Sequence, residues 1–127
     1  MSFPTDLKYT PDHEWLRAQG SSWRVGITQF AVDQLGDITL VDLPKQGDTV
    51  TKGQRFGTIE SVKSVSDLYA PVTGKVIAVN TSLKDSPELV NGEPYGNGWM
   101  IDIEPADKAE IEQLMDGAAY TKHVAAQ

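Results

Sequence analysis

Turn-forming residues fall every few positions along this chain. The runs between them are short, alternate apolar with polar residues and are rich in Val, Ile, Thr, Trp and Tyr. Alternation with a period of two is the pattern of half-buried strands, whose successive side chains point to opposite faces. The candidate strands are Glu14–Arg17, Trp23–Gly26, Ile38–Asp42, Gly57–Val62, Val65–Tyr69, Lys75–Asn80 and Trp99–Ile103. A chain divided in this way is confined to a mostly antiparallel β domain. A short helix is predicted over Gln29–Leu35, with Thr28 as its N-cap and Gly36 just past its end. A C-terminal helix is predicted from about Asp107 to Asp116: Ala109, Ile111, Leu114 and Met115 supply a partial apolar face and Gly117 stops it. Ala118–Gln127 adds a further helical turn.

An internal repeat sharpens the architecture. With Gly53 laid on Gly92, Val50-x-x-Gly53-x-x-Phe56-Gly57 matches Leu89-x-x-Gly92-x-x-Tyr95-Gly96, and Ile59-Glu60 is echoed by Ile103-Glu104. The spacing predicts two quasi-symmetric antiparallel units packed face to face, a flattened barrel or sandwich. It also predicts a hairpin at Asn97-Gly98, and it puts the two termini at the end away from the hairpin around Lys63.

At 127 residues the chain is long enough for one domain with one core. It divides into an N-terminal extension (about 1–22), a β core (about 23–104) and a C-terminal helical segment (about 105–124). There is no cysteine, so disulfides, thiolate nucleophiles and thiolate metal sites are excluded. The net charge of −7, from 18 acidic against 11 basic side chains, repels nucleic acid and anionic membrane surfaces and favours partners with basic faces. No apolar run approaches the roughly 20 residues that cross a bilayer, and residues 1–6 do not read as a signal peptide. The expectation is a soluble protein of a bacterial cytoplasm, although a processed organellar chain would read the same.

The most informative segment is Glu60-Ser61-Val62-Lys63-Ser64-Val65-Ser66-Asp67-Leu68-Tyr69-Ala70-Pro71-Val72-Thr73-Gly74. It reads as two short strands meeting at a tight turn centred on Val62-Lys63, so that a lysine amine stands clear of the body. Two-residue hairpin turns call for Gly, Asn or Asp at their centre. A β-branched residue beside a lysine breaks that rule, and broken local rules mark candidate functional sites. An ordinary lysine here would only solvate a loop or blunt a sheet edge; its setting suits a covalent attachment point instead.

This segment resembles the lipoylation segment of the glycine cleavage system H-protein family. The resemblance extends over nearly the whole chain: Tyr9-Thr10-Pro11-Asp12-His13-Glu14-Trp15 is similar to the family's opening motif. Val25-Gly26-Ile27-Thr28, Leu35-Gly36-Asp37-Ile38, Asn91-Gly92-Glu93-Pro94-Tyr95, Gly98-Trp99-Met100-Ile101 and Tyr120-Thr121 follow in order. The resemblance implies a lipoyl-domain-like, barrel-sandwich hybrid fold and lipoic acid joined by an amide to Lys63, with Glu60, Ser61, Val62 and Ser64 recognised around it. Lys52, Lys75, Lys84 and Lys122 are then surface charges. It further implies a carrier rather than an enzyme, shuttling the aminomethyl group of glycine from glycine decarboxylase (P-protein) to the aminomethyltransferase (T-protein). Dihydrolipoamide dehydrogenase (L-protein) then reoxidises the dithiol, and a lipoate ligase or a lipoyl/octanoyl transferase attaches the arm. The loaded arm folds back into a cleft where Glu14 and Asp67 are the matching acids. Three positions depart from the family pattern: Asp12 replaces the common Ser or Thr, Gln34 a frequent histidine, and Ser64 the usual Ala.

Other readings are weaker. His13 and His123 are the only histidines and lack the spacing of a metal site. Glu60 and Asp67 flank Lys63 but read as solvated charges. Gly96-x-Gly98 lacks the later glycine of a dinucleotide fingerprint. Trp15, Trp23 and Trp99 fit sheet packing better than ligand stacking. A biotin carrier shares the hairpin-lysine architecture, but its lysine is usually set between methionines, where Val62 and Ser64 stand here. An H-like relay that passes lipoate to other enzymes would keep the fold and change its use.

Overall fold

The computed structural model describes residues 3–127. In chain order the elements are β1 (Lys8–Tyr9), β2 (Glu14–Gln19), β3 (Ser22–Ile27), α1 (Gln29–Leu35), β4 (Ile38–Asp42), β5 (Thr49–Val50), β6 (Arg55–Ser61), β7 (Val65–Tyr69), β8 (Gly74–Val79), α2 (Ser82–Asp85), α3 (Leu89–Gly92), β9 (Ile101–Pro105), α4 (Lys108–Glu112) and α5 (Gly117–Ala125). Two antiparallel sheets result, one of six strands in the order β1-β2-β3-β9-β8-β5 and one of three in the order β4-β6-β7. Neither closes into a barrel, and the expected mostly β sandwich is what forms.

The core lies between the sheets because alternation sends one face of each strand inward. Leu16, Val25, Val76, Ile101 and Ile103 come from the larger sheet, and Val41, Ile59 and Leu68 from the smaller; all are buried in one cluster. A second cluster joins Phe3, Leu7, Tyr9 and Trp15 to Tyr120 of α5. The indole of Trp15 donates to the Pro94 carbonyl at 2.9 Å, and Trp99 is stacked under the Arg24 guanidinium, 4.0 Å from the ring centre. Both tryptophans serve packing. β2 pairs with β3 along its whole length, from Glu14↔Ile27 to Gln19↔Ser22, and β1 with β2, so residues 8–22 are continuous with the main sheet.

Helix α1 has the predicted bounds. The Thr28 hydroxyl accepts from the Ala31 N–H at 3.3 Å, and Gly36 takes a φ of +79° while its N–H closes on the Val32 carbonyl. The second predicted helix differs from expectation. It is cut to α4, capped by Asp107, because Met115 leaves the helical path to exchange two backbone hydrogen bonds with Tyr9, at 2.8 and 2.9 Å. Gly117 does not stop a helix but begins α5, which Asp116 caps. The tail is therefore a nine-residue helix rather than a single turn.

Asn97-Gly98 does not form a hairpin. The Gly98 N–H donates to the Glu93 carbonyl, and a Cβ there would stand 2.7 Å from both the Glu93 and Leu89 carbonyl oxygens. This glycine lets a loop fold tightly onto α3, and β9 starts two residues later than predicted. The repeat also fails at the backbone level, since Gly53 sits in a turn with φ +81° whereas Gly92 lies within α3. Gly53→Ala is therefore expected to lose about 1–2 kcal/mol to left-handed strain. Gly92→Ala, with open space at its Cβ, is expected to be neutral or to gain up to about 1 kcal/mol. Urea unfolding of both variants checks this, and equal losses would mean the two glycines share a conformation.

Candidate functional site

The Lys63 turn resolves the backbone problem without glycine. β6 and β7 pair out to Glu60↔Val65, and the Ser61 N–H donates to the Ser64 carbonyl at 2.8 Å. The return bond is replaced by a side chain: the Ser61 hydroxyl oxygen accepts from the N–H groups of both Lys63 and Ser64, each at 3.2 Å. A serine hydroxyl can stand in for a backbone carbonyl in this way. The left-handed geometry of a two-residue hairpin is thus avoided, and among the described residues His13 alone has a positive φ without being glycine.

Lys63 is exposed, but its side chain does not project freely. Its Cε lies only 3.4 Å, and its Nζ 3.9 Å, from where a Cβ on Gly36 would be. The aliphatic stem thus rests across the end of α1, within van der Waals reach of Gly36. Asn91 holds the supporting turn from below, its amide donating to the Gly36 carbonyl and accepting from the Ile38 N–H, both at 2.9 Å. The Val62 N–H donates to the Asp37 carbonyl at 3.1 Å. Among the described residues no carboxylate lies within ion-pair distance of the Lys63 amine.

Beyond Gly36, Gln34 and Leu35 lead into a cleft of about 290 Å³. Its walls are apolar, formed by Ile27, Phe30, Ala31, Leu35, Ile59 and Leu68, and its polar groups include Asp12, His13, Glu14, Gln34, Asp67 and Gln127. Glu14 and Asp67, far apart in sequence, both border this cleft, Asp67 from the edge strand β7, but in contrasting states. Asp67 is solvated, with Arg55 3.8 Å away. Glu14 is only 2% exposed and accepts a 2.6 Å hydrogen bond from the Thr10 hydroxyl. Burial pushes its carboxyl up to about 8, and the nearby Asp12 adds to this, against the opposing hydrogen bonds of Thr10 and the Tyr69 backbone. At neutral pH it is therefore mostly a neutral acid, which a cation placed against it would ionise. Glu60, Ser61, Val62 and Ser64 surround the lysine and do not line the cleft.

Several residues of the site were not singled out from sequence. Thr10 is buried, and its oxygen also accepts from the Asp12 and Glu14 N–H groups, each at 3.2 Å. The Tyr120 hydroxyl bridges His13 Nδ1 at 2.8 Å and the Thr28 hydroxyl at 2.7 Å, tying α5 to the opening loop and to the N-cap of α1. Its ring stacks on Tyr9 with centroids 4.6 Å apart. Burial, then the neighbouring His123, lowers the pKa of His13, opposed by Asp12 and a hydrogen bond with Gln127. α5 also carries the C-terminus to the cleft, where Gln127 shares the wall with Ser66, Asp67 and Leu68. That overturns the expectation that both termini lie away from the hairpin, and the cause is the anchoring of Tyr120. The signal in sequence was faint: a tyrosine in a short apolar tail. Among the described residues no cluster of His, Cys, Asp and Glu could hold a metal.

Glu14 holds its proton more tightly folded than unfolded, because its pKa rises from 4.5 to about 8. Its contribution to stability is complete below the lower value and is lost as pH rises through the upper one. The stability of the wild type relative to Glu14→Gln is thus expected to fall between about pH 5 and pH 9, by up to about 5 kcal/mol in total. Chemical denaturation of both proteins across this range measures it, and a constant or rising difference would refute the protonated state.

Residues 7–127 match the model of the family described as Glycine cleavage H-protein. The glycine cleavage system H protein of Myxococcus xanthus (strain DK1622) is 57% identical over 120 residues, covering 94% of this chain and 93% of its own. That of Anaeromyxobacter sp. (strain K) is 55% identical over 127 residues, covering 100% and 99%. The crystal structure of a glycine cleavage system H protein from Mycobacterium marinum superposes with a TM-score of 0.88 at 40% identity, over 97% of this chain and 99% of the other. With the order of motifs, the sandwich and the lysine hairpin all in agreement, the chain belongs to the glycine cleavage H-protein family.

Proposed function

We propose that this protein is the lipoyl carrier of a glycine cleavage system, with lipoic acid in amide linkage to Lys63. The observation that carries this reading is the pairing of an exposed, unpaired lysine with an apolar cleft that ends in an acid. Lys63 rests on Gly36, and the next two residues back along the chain, Leu35 and Gln34, line that cleft.

The residues present fit the group. Amide formation removes the lysine charge, and what is attached is a long, largely apolar chain. Apolar walls of Ile27, Phe30, Leu35, Ile59 and Leu68 suit such a chain lying back along the surface. Glu14 and Asp67 at the polar part of the cleft suit a terminal amine, which a buried carboxyl would hold by a charge-assisted hydrogen bond. When bound, lipoic acid supplies a dithiolane able to accept the aminomethyl group of glycine and to be reoxidised afterwards. On this reading the chain's own residues bind, orient and shield the arm.

On this reading the partners are glycine decarboxylase, the aminomethyltransferase and dihydrolipoamide dehydrogenase. A lipoate ligase or a lipoyl/octanoyl transferase performs attachment, guided by Glu60, Ser61, Val62 and Ser64. On the same reading the protein works in the cytoplasm alongside these partners; separately, no helix of the described residues is long and apolar enough to cross a membrane.

Material from a lipoate-competent host is expected to carry one lipoyl adduct, mapped to Lys63 by peptide mass spectrometry. A biotin-sized adduct would overturn the proposal in favour of a biotin carrier. Lys63→Arg is expected to fold with stability within about 0.5 kcal/mol of wild type, to carry no adduct and to lose glycine–bicarbonate exchange with the decarboxylase. A lipoylated wild type without exchange would point to the relay reading.

A further inference from the structure

The large apolar side chains left exposed among the described residues are not scattered. Leu40 (47%), Val62 (69%), Val65 (64%) and Tyr69 (37%) all lie on the three-stranded sheet or on its hairpin. Strand register explains why they share a face. Leu40 pairs with Glu60, and Glu60 pairs with Val65, so the three form one row across β4, β6 and β7. Their neighbours along the strands, Val41 and Ile59, point the other way and are buried in the core. Two residues further along, Asp42, Thr58 and Asp67 form the next row on the same outward face. Val62 stands at the tip beside Lys63. The outer face is thus an apolar surface around the lysine, centred on Glu60 and bounded by Asp42 and Asp67.

We propose that this face is the docking surface for the enzyme that acylates Lys63, an acyl-transferring protein presenting an apolar contact ringed by Lys and Arg. The inference rests on the lipoyl-carrier reading and names one partner within it. Geometry chooses that partner. In the attaching reaction the deprotonated Lys63 Nζ attacks the carbonyl carbon of an activated acyl group, an acyl adenylate or an acyl thioester. The C–N bond forms, the bond to the activating group breaks with its electron pair leaving on that group, and the amine's remaining extra proton passes to solvent. The reacting nitrogen belongs to the hairpin itself, so the enzyme's surface must contact the residues next to it. Enzymes that work on the far end of the arm meet it a full acyl chain away.

Charge narrows the partner further. The chain carries −7 overall, and this face holds Asp42, Glu60 and Asp67 against Arg55, with Lys84 at its margin beside Leu40 and Asp42, and Lys63, whose charge the reaction removes, at its tip. A second copy of the chain would set acid against acid, and an anionic membrane would repel it. A basic rim around an apolar centre is complementary, with the apolar residues excluding water at the core of the contact. Leu40 and Val65 extend the recognised area beyond the turn residues onto two strands that the turn does not include.

The test compares wild type with Leu40→Ser/Val65→Thr, both unlipoylated, using a purified lipoate ligase with lipoate and ATP. Intact mass follows modification, and circular dichroism checks folding. Leu40→Ser and Val65→Thr are also made singly in case the pair unfolds. The expected result is a fall of about tenfold or more in the modification rate of the pair at limiting substrate, with smaller falls in each single variant. Rates in both proteins are expected to drop as salt is raised. Once driven to full modification, the pair is expected to support glycine–bicarbonate exchange as wild type does. An unchanged modification rate overturns the proposal, and so does an equal loss in exchange, which would make the face a general one. Failure of wild-type Lys63 to be modified at all would instead remove the carrier reading beneath it.

Discussion

Ile59 of β6 and Leu68 of β7 point into the space between the two sheets, and their burial fixes the register of the hairpin that ends in Lys63. A slip of one residue would turn both to solvent and expose the opposite face to the core. The lysine is therefore held by packing several residues away from it, and the turn has only to reverse the chain. Ser61 does this with its side chain, which leaves the tip free of glycine and of the mobility glycine brings. A covalent carrier needs such a base, because a long arm is useful only if its root is positioned.

The cleft beside the hairpin depends on a different set of restraints. Its walls come from the opening loop, α1, β7 and the C-terminus, segments scattered through the chain. The Tyr120 hydroxyl joins three of these elements through His13 and Thr28. His13 accepts a left-handed backbone, φ 71°, at the point where the loop turns into β2, and Glu14 follows at once into the interior. Strain and a buried acid are both unfavourable for folding. Their concentration at one cleft is the mark of a place shaped for something other than stability.

Charge is divided between the two sides of the hairpin. On the cleft side Glu14 is buried and largely protonated; on the outer face the acids lie among exposed apolar residues, and solvated Asp67 stands on the edge strand that borders both. One arrangement suits holding a cationic group close, the other attracting a basic protein surface. Lys63 stands at the hairpin tip, beside both.

Much of this was legible from the residues. Period-two alternation located the seven longer strands, Thr28 and Gly36 bounded α1, and the segment around Lys63 marked the exposed hairpin lysine, because local propensity and alternation act over a few residues. Strands of two residues, β1 and β5, carry too little pattern to be seen. The break between α4 and α5 depends on Met115 pairing with Tyr9, and the fold of Asn97-Gly98 depends on α3 beneath it. Glu14 and Asp67 were named through resemblance, but that one is buried under Thr10 and the other solvated follows only from which surfaces meet. Sequence by itself determined the β class, the hairpin and its lysine, since each follows from neighbours along the chain. Tertiary structure alone decided the cleft, the proton on Glu14 and the clustering of exposed apolar residues, since desolvation and contact arise between segments that the chain keeps far apart.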